Sequence, residues 1–214
     1  MPLIRIPQVA DLDALPRFDG LSLDQIVSPE TPAHFNEALN DILAWPQVGF
    51  DTESKPTFRV GEVSTGPHLI QFATPKKGYL FKVGLNGCIE AAKAILESDR
   101  VLKVGFGLSS DRSRLRNRLG IELRHFIDLG TTLRYQGKKG QVGLRGAVAA
   151  VLEARVSKSR SVSTSNWANR TLTDAQRVYA ANDAYAALKV FLALGDEAEL
   201  TMADRIMPTK HENA

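Results

Sequence analysis

The apolar positions of this chain change period along its length. Residues 1–22 carry Pro2, Pro7, Pro16, several charges and scattered apolar side chains with no repeating interval, which predicts a loosely attached extension. From residue 23 the pattern sharpens. Leu23–Val27 reads as a short strand. Over Pro29–Ala44, Phe35, Leu39, Ile42 and Leu43 fall on one helical stripe, with Thr31 as cap and Pro32 at the first helical position. Pro46 closes that helix. Val48-Gly49-Phe50-Asp51-Thr52-Glu53 then alternates with period two, placing Val48 and Phe50 on one face and Gly49, Asp51 and Glu53 on the other.

His68–Ala73 and Tyr79–Val83 read as two more strands joined by Thr74-Pro-Lys-Lys-Gly78, a turn with proline and glycine in usable places. The pattern then alternates helix with strand: helix over Ile89–Leu96, strand over Val101–Phe106, helix over Leu108–Leu119 and strand over His125–Leu129. Such alternation implies parallel βαβ units after an antiparallel meander, hence an α/β fold with a mixed sheet of about five strands flanked by helices. The last third is helical, over Gly143–Ala154 and Thr173–Leu194, separated by the basic, serine-rich loop Ser157–Ser165. Thr173 and Gln176 form a capping box, and Val178, Ala181, Tyr185, Leu188 and Leu192 are expected on the inner side of the final helix. No repeat and no linker interrupts this order. One domain is expected over residues 23–200, followed by a tail over 201–214.

Composition narrows the class without naming a function. The 214 residues are 43% hydrophobic and 24% charged, with a net charge of +3, an ordinary globular balance that permits a nucleic-acid partner without demanding one. The single cysteine, Cys88, excludes an internal disulfide and a cysteine-rich zinc site. Neither a signal peptide nor the ~20-residue apolar run needed to cross a bilayer is legible, so the expectation is a cytoplasmic protein with no membrane partner.

The acids change the picture. Asp51 and Glu53 point the same way at the tip of a core strand, where like charges disfavour burial unless a cation neutralises them. A hard divalent ion, which takes oxygen ligands, does that. Taken alone, Asp-x-Glu fits a solvated strand end better than a ligand pair. Asp111 follows the Val101–Phe106 strand at its carboxyl end, where open α/β sheets place ligands, although a helix-start acid needs no such reason. Tyr179 and Asp183, four residues apart, share one face of the last helix.

Together these words form a pattern that resembles the DEDDy exonucleases, of the kind found in the Werner helicase's exonuclease domain and the RNase D catalytic domain. The resemblance is carried by Val48-Gly-Phe-Asp-Thr-Glu53, Leu69-Ile-Gln-Phe-Ala73, Lys103-Val-Gly105 leading to Asp111, Ser165-Asn-Trp167, Leu172-Thr-x-x-Gln176 and Tyr179-Ala-Ala-Asn-Asp-Ala-Tyr185. It covers about Ile26 to Leu194. It implies a ribonuclease-H-like fold and 3′→5′ removal of nucleotides from a nucleic acid, DNA or RNA, with a free 3′ end. It also implies that Asp51, Glu53, Asp111 and Asp183 hold two Mg²⁺ or Mn²⁺ ions while Tyr179 orients the attacking water. One departure stands out: Ser113 occupies the place where the Werner-type domain has an aromatic residue.

Candidate phosphate or base contacts are Thr52, Arg145, Lys158 and Trp167. Trp167 reads better as an anchor for the loop before the last helix than as a stacking face for a base. Arg112, Arg114, Arg116 and Arg118 scatter around one helix, which favours a solvated face for at least two of them. Two rival functions remain. Val104-Gly-Phe-Gly-Leu-Ser-Ser110 with Asp128 further on resembles a dinucleotide fingerprint, but its mid-chain position and the idle Asp51, Glu53 and Asp183 count against it. A catalytically silent nucleic-acid-binding module would share the fold, yet all four acids and the tyrosine stand.

Overall fold

In order along the chain run β1 (Ile4–Ile6), a 3₁₀ turn (Leu23–Gln25), β2 (Ile26–Val27), α1 (Pro32–Leu43), β3 (Gln47–Glu53), β4 (Leu69–Ala73), β5 (Gly78–Lys82) and α2 (Cys88–Leu96). Then come β6 (Leu102–Gly105), α3 (Leu108–Arg114), β7 (Phe126–Asp128), α4 (Leu129–Thr132), β8 (Leu133–Tyr135), α5 (Leu144–Leu152), α6 (Arg160–Ser163) and α7 (Asp174–Leu194). These elements come from a computed structural model that describes residues 3–57, 61, 63–137, 139–157 and 159–195. The tail expected over 201–214 lies outside the described residues.

Six strands make the principal sheet, in the order β2-β5-β4-β3-β6-β7. The β3–β4 and β4–β5 pairs are antiparallel, and β3–β6 and β6–β7 are parallel, so the meander and the βαβ units both form. Six strands form where about five were expected, and at the edge β2, the last two residues of the expected Leu23–Val27 strand, adds to β5 in parallel. Its predecessor Leu23–Gln25 is a 3₁₀ turn where a strand was expected.

The second sheet is a surprise. β1 pairs in parallel with β8, matching Ile4 to Leu133 and Ile6 to Tyr135. Ile4 and Ile6 are buried while Arg5 is exposed, so the extension expected to be loose contains a strand that belongs to the core. An alternation of three residues is too short to register as a period, and its partner β8 is equally short. Leu21, also in that stretch, is buried beneath α7.

The two faces of β3 separate core from site. Val48 and Phe50 face α1 and α2, where Phe35, Ile42, Phe72, Phe81 and Ile95 are fully buried. The Phe72 and Phe81 rings meet edge to face at 5.3 Å, a favoured aromatic geometry. On the opposite face α7 crosses the sheet with Ala180, Ala181, Ala184 and Ala187 buried against it. Alanines allow close approach, and two glycines permit more. A Cβ on Gly49 would stand 1.9 Å from the Ala184 carbonyl oxygen, and one on Gly78 would stand 2.8 Å from the Ala181 Cβ. The helix therefore rests on bare backbone of β3 and β5, and Leu192, expected to face inward, is exposed.

Candidate metal centre and active site

β3 emerges at its carboxyl end with Asp51 and Glu53 on the α7 face, and the close approach of α7 brings Asp183 to meet them. One carboxylate oxygen from each of Asp51, Glu53 and Asp183 lies within 4.8 Å of the others, a cluster able to hold a metal ion. Asp51 is fixed in turn by the Thr52 backbone N–H, which donates to its Oδ1 at 2.8 Å. The capping box on α7 forms, with the Gln176 N–H donating to the Thr173 hydroxyl at 3.2 Å, so the helix that carries Asp183 is firmly begun.

Asp111 arrives from the first turn of α3. It is buried, its Oδ1 accepts a hydrogen bond from the Thr52 hydroxyl, and Arg114 stands 3.7 Å away. Of the four expected ligands, three converge. The fourth is turned toward Thr52 and Arg114, yet it is close enough to push up the ionisation of Asp51 and Glu53. The Thr52 hydroxyl, expected to touch nucleic acid, is occupied with Asp111, and Thr52 is only 8% exposed.

Burial dominates the electrostatics. It raises Asp51 well above the usual carboxylate range, reinforced by the charges of Asp111, Asp183 and Glu53. Burial, then Asp183 and Asp111, lift Glu53 to about 8, against a weaker downward pull from Arg114. Asp183 is lifted to about 6 by burial, with the Tyr179 phenol working in the opposite direction. Acids this close and this desolvated lack a counter-charge of their own. Gln71, opposite Asp51 in the sheet register, is fully buried, and neither of its amide atoms has a hydrogen-bond partner among the described residues. An orphaned amide beside crowded carboxylates marks a place that expects water or a ligand. The donor set, all oxygen, suits Mg²⁺ or Mn²⁺.

Tyr179 sits one helical turn before Asp183, and burial followed by the Asp183 charge pushes its phenol above its ordinary value. Trp167 is completely buried, with its ring centroid 6.2 Å from that of Tyr179 and its carbonyl accepting from Lys82 Nζ. It is an anchor behind the tyrosine, without a face free for a base. Arg145 is exposed and lines a cavity of about 380 Å³ that also reaches Tyr179 and Asp183. Lys158 lies outside the described residues. Among the arginines of α3 and its continuation, Arg114 faces Asp111, Arg116 pairs with Glu122 at 3.0 Å and Arg112 lies over Phe126 at 5.9 Å.

The dinucleotide fingerprint dissolves in the same region. The Asp128 carboxylate accepts from the backbone N–H groups of Gly107, Leu108 and Gly130, each at 2.9 Å. The acid that would bind a ribose instead caps the turn that launches α3. Sequence reasoning missed this role and also the Thr52 and Arg114 contacts that hold Asp111. The adjacency of Thr52 to Asp51 was its one available signal.

Comparison with known proteins decides the family. A family model described as 3′-5′ exonuclease matches residues 26–199. The chain belongs to the 3′-5′ exonuclease family. Within that family, the mouse bifunctional 3′-5′ exonuclease/ATP-dependent helicase WRN is 32% identical over 151 residues, covering 70% of this chain and 11% of the mouse protein. The Nibbler EXO domain of Aedes aegypti superposes with a TM-score of 0.69 at 26% identity, over 85% of this chain and 92% of that one. Escherichia coli RNase D, at 23% identity and a TM-score of 0.67 over 83% of this chain and 46% of its own, shares the ribonuclease-H-like fold. The chain spans 11%, 17% and 52% of the length of three curated relatives it matches.

Proposed function

We propose that this chain is a metal-dependent 3′→5′ exonuclease that hydrolyses the terminal phosphodiester of DNA or RNA and releases nucleoside monophosphates. The observation that carries the proposal is the convergence of the Asp51, Glu53 and Asp183 carboxylates within 4.8 Å, in surroundings that raise all three ionisations. Water attacks phosphorus, the bond to the 3′ oxygen of the shortened strand breaks, and the proton gained by that oxygen restores a 3′-hydroxyl. Asp51, Glu53, Asp183 and, with a turn of its side chain, Asp111 would hold two divalent ions. When bound, such ions lower the pKa of water and neutralise charge on the leaving oxygen.

The chain's own part is positioning. Tyr179 stays protonated at neutral pH and so orients the water by hydrogen bonding without removing its proton. Thr52 and Arg114 hold the Asp111 carboxylate beside the centre, from where a turn of its side chain brings it to the other three acids. A silent binding module is disfavoured, because crowded buried acids cost stability that only a function offsets.

The test uses end-labelled DNA and RNA oligonucleotides, single- and double-stranded, with Mg²⁺, Mn²⁺ or EDTA. Stepwise shortening from the 3′ end in either metal, absent in EDTA, is expected. Asp51→Asn and Asp183→Asn should abolish it while retaining the circular dichroism of the native protein. Native-rate shortening by Asp51→Asn would sink the assignment.

A further inference from the structure

Beside Asp183 and Tyr179 opens a cavity of about 410 Å³, within the size range of small-molecule sites. Phe18, Leu21, Val156, Val162 and Val178 give much of its lining an apolar character. An apolar hollow beside a polar phosphodiester site needs an apolar occupant, and the one planar, weakly polar part of a nucleotide is its base. The cavity shares Val156, Ser157, Ser159, Tyr179 and Asp183 with the smaller cavity that Arg145 lines, so the two adjoin beside Tyr179 and Asp183. Arg17, exposed at the wall of the larger cavity, matches a polyanionic backbone, while Arg155 is held by its Nε donating to the Leu15 carbonyl at 2.9 Å.

The outer wall is a built structure. Asn182, on α7, brackets the N-terminal segment: the Leu21 N–H donates to its Oδ1 at 2.6 Å, and its Nδ2 donates to the Leu21 carbonyl at 3.1 Å. The Phe18 N–H donates to the Arg155 carbonyl at 2.9 Å, and the Arg155 N–H to the Pro16 carbonyl at 2.8 Å. A Cβ on Gly20 would lie 2.2 Å from the Asn182 Oδ1, so the segment lies tight against the helix. This wall precedes residue 26, where the match to the exonuclease family begins.

We infer that the segment Arg17–Leu21 and helix α7 together form a nucleobase pocket for one of the two nucleotides flanking the scissile phosphate. The inference rests on the exonuclease reading and deepens it by adding a base subsite made partly of residues outside the family's matched region. Stacking of a base beside Phe18 falls within the usual range for base–aromatic contacts, so losing the base should weaken binding about tenfold, which is ~1.4 kcal/mol.

The test measures binding by fluorescence anisotropy in Mg²⁺ with Asp51→Asn protein, using a single-stranded oligonucleotide that is intact, abasic at the 3′-terminal residue, or abasic at the one before it. One of the two abasic strands should bind about tenfold more weakly than the intact strand. Ala175→Trp places a large ring from an exposed position at the cavity mouth, and Asn182→Ala releases the wall; each should bring the ratio close to one. Equal binding of all three strands overturns the pocket, as does a tenfold ratio that neither substitution changes. Failure of the two readings is told apart by wild-type cleavage. Shortening in Mg²⁺ or Mn²⁺ without base discrimination sinks the pocket alone. Discrimination without shortening sinks the exonuclease. No binding of any strand together with no shortening by the wild type sinks both.

Discussion

At the scale of single residues, the site works by what burial does to protons. The Tyr179 phenol is pushed above its ordinary ionisation, first by burial and then by Asp183, Glu53 and Asp51, so it enters any reaction at neutral pH as a donor. Tyr179→Phe keeps the ring beside Trp167 and removes only that donor. Turnover should fall by roughly 10²-fold, the usual share of one positioned group, while metal affinity by titration calorimetry stays within about twofold. A large loss of metal binding would recast the tyrosine as a support for the ions. The five motif side chains were legible in sequence through their combined spacing and the family resemblance it carries. Thr52 and Arg114 were not, since a threonine in a strand and an arginine on a helix are ordinary there. Only the fold shows that both meet Asp111.

At the scale of elements, the spacing between β3 and α7 controls whether the ligands meet. Gly49 has no room for a side chain, because its Cβ would press on the Ala184 carbonyl, and backbone does not yield as a flexible side-chain tip does. Gly49→Val should therefore cost about 1–3 kcal/mol of stability by overpacking. By lifting α7 it should also weaken Mn²⁺ binding, although no ligand is altered. Chemical denaturation and metal titration of the same variant check this, and an unchanged metal affinity would show that the helix can reseat. The longer helices and β3 to β5 were legible because each repeats its period for two turns or more, or for five strand residues, and β6 and β7 because each falls in an apolar run set between helical stretches. β1, β8 and the four-residue α4 and α6 were not, because a pattern of three or four residues has no period to detect. The closeness of α7 was half-visible: its alanines were on the page, but their glycine partners lie on strands more than a hundred residues earlier.

At the scale of the whole molecule, the acids couple stability to pH. Glu53 and Asp183 titrate near 8 and 6 in the folded protein and near 4 once unfolded, with Asp51 also raised. Between about pH 4 and 8 the native state holds protons that the unfolded chain has released, so metal-free stability should fall as pH rises through that window. Mg²⁺ should reverse the trend, because it binds the deprotonated acids and stabilises the state that holds it. Thermal melts in EDTA and in Mg²⁺, from pH 5 to 8.5, check both slopes. Glu53→Gln isolates the site's share, since it should flatten the EDTA slope. A wild-type Tm in EDTA that rises steadily to pH 8 would contradict the raised ionisations.

Asp51 and Asp183 stand 132 positions apart in a chain that is made from its N-terminus. Domains begin to fold during synthesis, and β2 to β7 can assemble while α7 is still unmade. Until Asp183 and Tyr179 have left the ribosome, such an intermediate has a sheet and half a ligand set. A site assembled in this order stays incomplete until α7 docks. Moving α7 to the front by circular permutation would remove that delay, and ribosome-bound chains of the permuted protein would become active earlier in translation.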